Sequence, residues 1–313
     1  MSKLAVICGG QGTQFPSMDQ LWDFDEKNKV ERFNLIQEKL NVDLKSILNS
    51  EQVNETVYAQ PLIVWLQTLI YDEIKRLKIP IAATAGFSLG EYSSYYVAEM
   101  LSAKETIKLV LKRSGFMQEA SSKKPGSMVA VLGLDYQKVE ELVKEVHTEA
   151  EPLYPANYNT QIQTVVSGSN NAIETFMEIA KQKGARRVVK LNVSGAFHTP
   201  LMQEAAEKLE QHLKTLNLSK PQIPFYLNST AAKMDYNIVS MEAKKQTMGP
   251  VYFQKMVEQM IKDGITHFVE IGPKAVLASM IAKINSEVNV IAVTESKNLN
   301  ELKEWIKDVQ FEK

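Results

Sequence analysis

The chain has 313 residues, of which 44% are hydrophobic and 23% are charged. This length and composition are typical of a globular protein with one large domain, or of a domain that carries an insertion. The 36 basic and 37 acidic residues nearly cancel, so the overall charge predicts no attraction to nucleic acid or to a membrane surface.

The single cysteine and the short apolar segments indicate the cellular compartment in which the protein is expected. Cys8 cannot form an internal disulfide, and its place in the apolar run LAVIC favours a buried, inert thiol over a catalytic one. The apolar segment near the first residue is too short for a signal peptide, and no run reaches the roughly 20 apolar residues of a membrane-spanning helix. We therefore expect a cytoplasmic monomer that has neither nucleic acid nor a membrane as a partner.

The first part of the chain alternates strands and helices. KLAVIC predicts a buried strand that ends in a glycine turn, but Phe15 stands where a dinucleotide-binding G-x-G-x-x-G turn needs its third glycine. A helix is predicted over about residues 60–77, then a strand in IPIAATAG, a helix in GEYSSYYVAEML and an amphipathic helix over about 103–120. This order is typical of a parallel sheet covered by helices on both faces.

A polar stretch, SSKKPGS, precedes a different pattern. The segments predict a strand in SMVAVLGL, a helix opened by Asp135, a loop in EPLYPANYN that leaves room for a short strand, a strand in IQTVVSGS, a helix in NNAIETFMEIAKQKG and a strand in ARRVVKLNVS. With the short strand included, this is the βαββαβ order of a ferredoxin-like unit. We expect this compact subdomain over residues 126–194, inserted into an α/β domain formed by residues 1–125 and 195–313.

The alternation of helices and strands resumes after the insertion. The predicted elements are, in order, a helix in TPLMQEAAEKLEQHLKTL, a strand in IPFYLNST, a helix around GPVYFQKMVEQMIKDG, a strand in HFVEIG, a helix in KAVLASMIAKI, a strand in VNVIAV and a final capping helix in NLNELKEWIKDVQ.

The segment GFSLGEY, residues 86–92, has the pattern G-x-S-x-G between a predicted strand and a predicted helix. In that context the pattern is typical of a nucleophile elbow, with Ser88 exposed at a tight turn. The backbone N–H of Leu89 would then point at an oxyanion that develops beside the serine. The alternative is that Gly86 and Gly90 serve only the close packing of strand and helix.

A nucleophilic serine needs a base, and the chain has 4 histidines. His147 and His212 lie in charged helical stretches and are expected at the solvated surface, while His267 begins a strand and fits an edge position. His198 falls in a loop between the last strand of the insertion and the next helix, where catalytic groups are often carried. The alternative for His198 is a structural loop histidine.

Several segments resemble, in family order and over nearly the whole chain, the malonyl-CoA:acyl-carrier-protein transacylase family. This family includes the discrete, trans-acting acyltransferases of polyketide synthases. The segments are GQGTQ, AQP at 59–61, GFSLGEY, RSGFMQEA at 113–120, ANYNTQIQTVVSG at 156–168, VSGAFHTPLM at 193–202 and EIGPKAVL at 270–277.

The resemblance implies an α/β-hydrolase-like parallel-sheet core with an inserted ferredoxin-like subdomain, in agreement with the pattern of predicted elements. It also implies a ping-pong reaction for fatty-acid or polyketide biosynthesis, without a metal or a cofactor. Ser88 would attack the thioester of malonyl-CoA, His198 would take the proton, and the N–H groups of Gln11 and Leu89 would hold the oxyanion. The phosphopantetheine thiol of an acyl carrier protein would then accept the malonyl group.

Arg113 bears on the choice of substrate. Without the resemblance it is an ordinary exposed arginine of a helix, whereas the resemblance implies a bidentate pair with the malonyl carboxylate. A planar guanidinium matches a carboxylate, and an apolar acyl chain would leave its charge unpaired, so such a residue discriminates strongly between acyl groups.

Four further residues are candidates for supporting roles. The resemblance places Gln60 in the acyl pocket, although it is equally a polar residue at a helix N-terminus, and it implies that the main-chain carbonyl of Gln246, in the loop KKQTMGPVYF, orients His198. Asn159 and Asn228 could support the site, but an asparagine in a loop is often a turn residue.

The chain departs from the family pattern at two positions. Phe87 stands where a histidine usually precedes the serine, which affects either the wall of the acyl pocket or the packing beneath the elbow. Gly9 stands where proline usually precedes GQG, which would loosen the loop that carries Gln11.

Carrier proteins are acidic, so their docking surface is expected to be locally basic. The candidate residues on or near the insertion are Lys123, Lys124, Lys181, Lys183, Arg186, Arg187 and Lys190. The alternative is a lysine-rich face that is merely solvated.

Two other functions use the same residues differently. A hydrolase that clears acyl groups from stalled carrier proteins would use Ser88 and His198 with water as the second acceptor, and Arg113 argues against it. A non-catalytic docking subunit would tolerate loss of the serine or the histidine, and both are present.

Overall fold

Two β-sheets, one parallel and one antiparallel, organise the chain. The computed structural model describes residues 1–311. The strands are β1 (Leu4–Cys8), β2 (Ala83–Gly86), β3 (Ser127–Leu132), β4 (Leu153–Thr160), β5 (Gln163–Gly168), β6 (Arg187–Lys190), β7 (Phe225–Tyr226), β8 (His267–Ile271) and β9 (Asn289–Val293). The α-helices are α1 (Glu26–Leu40), α2 (Leu44–Leu48), α3 (Thr56–Arg76), α4 (Gly90–Val97), α5 (Ala103–Lys123), α6 (Tyr136–Val146), α7 (Asn170–Gln182), α8 (Gln203–Lys214), α9 (Val239–Met248), α10 (Phe253–Lys262), α11 (Leu277–Ile284) and α12 (Lys297–Ile306).

The larger sheet has five strands in the order β7-β2-β1-β8-β9, and every neighbouring pair is parallel. Every residue of β1, β2 and β8 is buried. Continuous burial is expected of parallel strands that have helices on both faces, and it explains why LAVIC reads as an unbroken apolar run. The predicted parallel-sheet core is confirmed.

The smaller sheet has four antiparallel strands in the order β4-β5-β3-β6, with α6 and α7 packed on one apolar face. Its chain order, β3-α6-β4-β5-α7-β6, is the predicted ferredoxin-like order. Asp135 caps α6 through its side chain, as the sequence suggested. The α/β fold class with a ferredoxin-like subdomain is therefore confirmed.

The prediction of a loop in EPLYPANYN was wrong, because most of this segment is the edge strand β4. The register between β4 and β5 shifts between Pro155 and Asn157 and again between Tyr158 and Thr160. Such irregularities allow an edge strand to contain a proline, which cannot donate to a regular ladder. The short strand considered within the loop is thus a full strand of the sheet.

Other differences concern elements without clear apolar periodicity. Helix α1 buries only Arg32 and Ile36, and no helix was predicted there. The strand expected in IPFYLNST is limited to Phe225 and Tyr226 at the edge of the large sheet. The final capping helix was predicted correctly as α12, while residues 312 and 313 of the predicted α/β domain lie outside the described residues.

Most of the candidate site residues singled out from the sequence line one cavity between the two sheets. A cavity of about 200 Å³ is lined by residues that follow β1 and β2 of the large sheet and by side chains of β3, β4 and β5 of the small sheet. Backbone hydrogen bonds join β4 to Val251, which precedes α10, with N···O distances of 2.8 and 2.9 Å. Within residues 1–311 no helix is both long and apolar enough to cross a membrane.

Candidate active site

Ser88 lies at the turn between β2 and α4 with a positive φ of 52°. A Cβ atom on Gly86 would lie 1.9 Å from the carbonyl carbon of Gly90, and one on Gly90 would lie 2.0 Å from the carbonyl oxygen of Cys8. Only glycine fits at either position, so the strand, the helix and β1 meet backbone to backbone here. The glycines do serve close packing, and that packing presents Ser88 at the tip of the turn.

Side chains from elsewhere in the chain hold the backbone around Ser88. Asn228 Oδ1 accepts a hydrogen bond from the N–H of Ser88 at 2.7 Å, and Asn228 Nδ2 donates to the carbonyl of Gly86 at 2.6 Å. Gln246 Nε2 donates to the carbonyl of Ser88 at 2.8 Å. A left-handed conformation costs a residue other than glycine on the order of 1 kcal/mol, and these bonds help to offset that cost.

Ser88 and His198 form a hydrogen-bonded pair, with 2.6 Å between Ser88 Oγ and His198 Nε2. The other ring nitrogen, Nδ1, lies 2.9 Å from the carbonyl oxygen of Gln246. A carbonyl only accepts hydrogen bonds, so Nδ1 carries the proton of a neutral imidazole and Nε2 presents its lone pair to the serine hydroxyl. This tautomer is suited to remove the hydroxyl proton.

His198 is almost completely enclosed, with 4% of its surface exposed. Burial lowers the pKa of His198 from 6.5 to about 4, the positive charge of Arg113 acts in the same direction, and the hydrogen bond to Gln246 opposes both. The imidazole is therefore neutral near pH 7 and able to accept a proton.

Gln11 and Leu89 lie near Ser88 on two different segments of the chain. Gln11 follows β1 and lines the cavity, and Leu89 directly precedes α4. Within residues 1–311, neither of their backbone N–H groups donates a hydrogen bond. Free N–H groups at the end of a strand and the start of a helix are well suited to hold a developing oxyanion.

Arg113 lies on α5 and lines the same cavity with only 1% of its surface exposed, so the alternative of an exposed helical arginine was wrong. Its Nη1 donates to Gln60 Oε1 at 2.7 Å, and its guanidinium carbon lies 4.6 Å from the centre of the Tyr92 ring. Its Nε and Nη2 atoms have no hydrogen-bond partner within residues 1–311. A buried guanidinium with unused donors is suited to pair with an anionic group such as a carboxylate.

Gln60 lies deeper in its helix than expected, and Gln246 lies in a helix where a loop was predicted. Because α3 begins at Thr56, Gln60 is buried inside the helix, and the alternative of a polar residue at its N-terminus was wrong. Gln246 lies in the last turn of α9, where a loop was predicted. The buried residues of α9 are Glu242, Ala243, Gln246 and Thr247, so no apolar spacing marks this helix in the sequence.

The small sheet contributes polar side chains to the cavity. Asn159 is buried in β4, not in a turn, and its Oδ1 has no hydrogen-bond partner within residues 1–311. Asn157 and Gln163 also line the cavity and were not predicted. The two-residue spacing of Asn157 and Asn159 is the signal that a strand assignment for this segment would have offered.

Phe87 affects both the cavity and the packing beneath the elbow. It lines the cavity, and its ring packs edge to face against Phe253 with 5.4 Å between centroids. A Cβ on Gly10 would lie 2.6 Å from the carbonyl oxygen of Phe87, so Phe87 also packs directly on the loop that carries Gln11.

Gly9 is held at both of its backbone groups. Its N–H donates to the carbonyl of Ile271 at 2.9 Å, and its carbonyl accepts from Gln67 Nε2 at 2.8 Å. The start of the loop before Gln11 is therefore tied to β8 and to α3, although glycine itself imposes no restraint.

The remaining histidines lie outside the cavity, and none is a freely solvated residue. His147 is half-buried against Tyr154 and His212 is half-buried in α8, so the prediction of solvated surface was wrong for both. His267 is buried in β8, an interior strand, and packs against Trp305.

Comparison with known proteins agrees with this geometry. An acyl transferase domain family model matches residues 6–310. The malonyl CoA-acyl carrier protein transacylase of Bacillus subtilis (strain 168) is 34% identical over 304 residues, which are 96% of this chain and 96% of that protein.

Solved structures give the same result. The malonyl CoA-acyl carrier protein transacylase from Clostridium perfringens superimposes with a TM-score of 0.88 at 31% identity, over 98% of each chain. A malonyl-transacylase in complex with its type II PKS acyl-carrier protein gives 0.88 at 28% identity, over 97% of this chain and 99% of that one. The resemblance found in the sequence segments is confirmed, and the chain belongs to the malonyl CoA-acyl carrier protein transacylase family of acyl transferases.

Proposed function

We propose that this chain transfers a malonyl group from malonyl-CoA to the phosphopantetheine thiol of an acyl carrier protein, for fatty-acid or polyketide biosynthesis. The observation that carries the choice of substrate is Arg113, a buried guanidinium in the wall of the Ser88 cavity with two nitrogen donors unused. A malonyl group bound through its thioester at Ser88 would supply the carboxylate that these donors lack.

In the first half-reaction, Ser88 Oγ attacks the thioester carbonyl while His198 Nε2 takes the hydroxyl proton. The N–H groups of Gln11 and Leu89 stabilise the oxyanion of the tetrahedral intermediate. Collapse of this intermediate breaks the carbon–sulfur bond, CoA leaves with the proton from His198, and a malonyl ester remains on Ser88.

In the second half-reaction, the phosphopantetheine thiol gives its proton to His198 and attacks the ester. The malonyl group leaves on sulfur, and Ser88 recovers its proton. A carbonyl, supplied by Gln246, stabilises the imidazolium less than a carboxylate would, and neither half-reaction requires a metal or a cofactor. Since one chain carries every group used, a monomer is expected to be active.

Exposed basic residues on or near the small subdomain favour the binding of an acidic protein partner. Lys123 is paired with Glu119 and Glu204, but the other candidate cations are exposed and form no ion pair within residues 1–311. Strand β6 carries Arg187 and Lys190 on a sheet edge, and the next residue, Leu191, lines the cavity. A carrier protein bound along this edge would have its phosphopantetheine arm next to the cavity mouth.

The reaction is tested by intact-mass analysis of the protein after exposure to malonyl-CoA or acetyl-CoA, followed by addition of holo carrier protein. We expect a malonyl adduct that is absent from Ser88→Ala and that the carrier protein discharges. An adduct lost to water at the same rate without the carrier protein would indicate the hydrolase alternative and overturn the proposal.

Arg113→Ala tests the choice of acyl group in the same experiment. Removing one partner of a buried charge pair costs about 2–5 kcal/mol, so malonyl loading should slow by at least ~30-fold while acetyl loading is spared. Arg32→Ala is the matched control, because Arg32 is also buried but pairs with Asp72 outside the cavity. Equal losses of malonyl and acetyl loading in Arg113→Ala would contradict the role as carboxylate partner.

A further inference from the structure

The side chain of Gln11 is fixed by hydrogen bonds at both ends. Its Oε1 accepts from Gln60 Nε2 at 3.2 Å, and its Nε2 donates to Thr56 Oγ1 at 3.1 Å. Gln60 in turn accepts from Arg113. The N–H of Gln11 is the proposed oxyanion donor, and the side chain of the same residue belongs to a continuous row of hydrogen-bonded side chains.

The N–H and carbonyl of Gln11 form no hydrogen bond within residues 1–311, although the loop is held on either side: the carbonyl of Gly10 accepts from Thr13 Oγ1 at 2.8 Å, and the N–H of Gly12 donates to Gln14 Oε1 at 2.8 Å. The neighbours of Gln11 are Gly10 and Gly12, and Gly12 is exposed with a φ of +99° and open space where a Cβ would stand. Glycine imposes no side-chain restraint on φ and ψ, so the direction of the Gln11 N–H depends on these flanking bonds together with the contacts that the Gln11 side chain makes. An oxyanion donor is effective only when it is held in place before the reaction.

Thr56 is the first residue of α3 and only 1% exposed. Its Oγ1 accepts from Gln11 and lies 2.8 Å from Ser194 Oγ. Since Gln11 Nε2 can only donate, the hydroxyl hydrogen of Thr56 is free to point at Ser194. Ser194 lies in the segment that joins β6 to His198, so one hydroxyl links the Gln11 loop to the segment carrying the base.

We propose that Thr56 is a positioning residue for the oxyanion hole. Its hydroxyl holds the Gln11 side chain and, through Ser194, the segment that leads to His198, so that the oxyanion donor and the base keep their places on either side of Ser88. This inference rests on the proposed function, in which the Gln11 N–H contacts the oxyanion. Thr56 itself does not touch the reacting atoms.

Thr56→Val tests the inference, because valine keeps the shape of threonine and removes the hydroxyl. Loss of an oxyanion donor itself typically lowers kcat by about 100- to 1000-fold, so loosening one should cost less, about 10-fold. The KM for malonyl-CoA should stay unchanged, since the interaction matters in the transition state only. Malonyl and acetyl loading should slow by the same factor, and Thr56→Ser, which keeps the hydroxyl, should restore most of the rate.

Two further variants separate positioning from a general effect on the fold. Thr68→Val removes a buried hydroxyl from the same helix, one that donates to the carbonyl of Trp65 at 2.7 Å, and should leave kcat unchanged. In a Gln11→Ala background Thr56→Val should lower kcat by a smaller factor than in the unaltered protein, because the side chain of Gln11 is gone and only the contact with Ser194 remains to be lost.

The inference would be overturned by an unchanged kcat in Thr56→Val, by the same loss in the Gln11→Ala background, or by failure of Thr56→Ser to restore the rate. These outcomes are distinct from failure of the proposed function. If the unaltered protein formed no malonyl adduct on Ser88, the function would fail; if it loaded normally and Thr56→Val loaded equally fast, only the positioning role would fail.

Discussion

Ser88 and His198 both have positive φ angles, 52° and 60°, and one residue contacts both of them. Gln246 donates from its side chain to the carbonyl of Ser88 and accepts the His198 ring proton on its own carbonyl. The two groups that exchange a proton in the proposed reaction are thus both positioned by the last turn of α9. A residue that is strained and held in this way is expected at a reaction centre more often than in a purely structural turn.

The low pKa of His198 predicts the pH dependence of acyl loading. An imidazole with a pKa of about 4 is neutral above that value, so kcat/KM for loading should be flat from about pH 8 to pH 5 and fall only as the pH approaches 4. Arg113→Ala removes a positive charge that disfavours the imidazolium, so the pKa of His198 should rise and the acid limb should move to higher pH. The measurement is the pH profile of acetyl loading.

Arg113→Lys is the control for this profile, because it keeps the positive charge and should keep the acid limb near that of the unaltered protein. An acid limb close to pH 6.5 in the unaltered protein, or one that Arg113→Ala leaves in place, would contradict the assignment of the limb to His198.

At the scale of whole elements, the pattern of buried residues in a helix or strand determines whether that element can be predicted from the sequence. Strands β1 and β8 and helix α3 present apolar residues at the expected spacing and were predicted, whereas α9, which carries Gln246, buries a polar face and was not. The edge strand β4 was also missed, because it contains a proline and two register shifts and so lacks a regular alternation.

The candidate site residues differ in the same way, because some lie in recognisable sequence patterns and others do not. Ser88 and Arg113 stand in segments with a recognisable pattern, so they could be named from the sequence. Thr56 contacts Gln11 and Ser194, which are 45 and 138 positions away in the chain. Contacts between such distant segments follow from how the elements pack together, and no local pattern in the sequence encodes them.

The edge strand β6 provides a prediction about the carrier protein. Reversing two charges with Arg186→Glu and Arg187→Glu should raise the apparent KM for carrier protein by about 3- to 10-fold, because charges at the rim of an interface mainly steer association. Malonyl loading of Ser88 from malonyl-CoA should be unaffected. The two half-reactions are measured separately, by loading kinetics and by discharge of the loaded protein at varied carrier concentration.

Lys303→Glu serves as the control for a charge reversal outside the small sheet, since Lys303 is exposed on α12. The effect at β6 should also weaken at high salt, as the charges become screened. Unchanged kinetics of both half-reactions in the double variant would remove this strand from the docking surface.

For the molecule as a whole, two buried groups make opposite contributions to stability as the pH changes. Burial raises the pKa of Glu91 from 4.5 to about 8, although its carboxyl accepts a hydrogen bond from the N–H of Asn228 at 2.7 Å. The folded state therefore holds a proton on Glu91 that the unfolded chain releases above pH 4.5, so this contribution is complete below 4.5 and is lost as the pH rises through 8. His198, with its lowered pKa, stabilises the fold fully above pH 6.5 and loses that contribution as the pH falls through 4.

As the pH rises from 4.5 to 6.5, the stability lost through Glu91 and the stability gained through His198 nearly cancel, and from 6.5 to 8 only the contribution of Glu91 still changes. Glu91→Gln keeps an acceptor for Asn228 but cannot titrate. The free energy of unfolding of this variant, minus that of the unaltered protein, should therefore rise with pH by up to about 1.4 kcal/mol per unit from 4.5 to 8. Urea denaturation at several pH values measures this difference. A flat difference for Glu91→Gln would mean that Glu91 is ionised in the folded protein, and the Asn228 contact that supports the elbow would then be held by a buried charge.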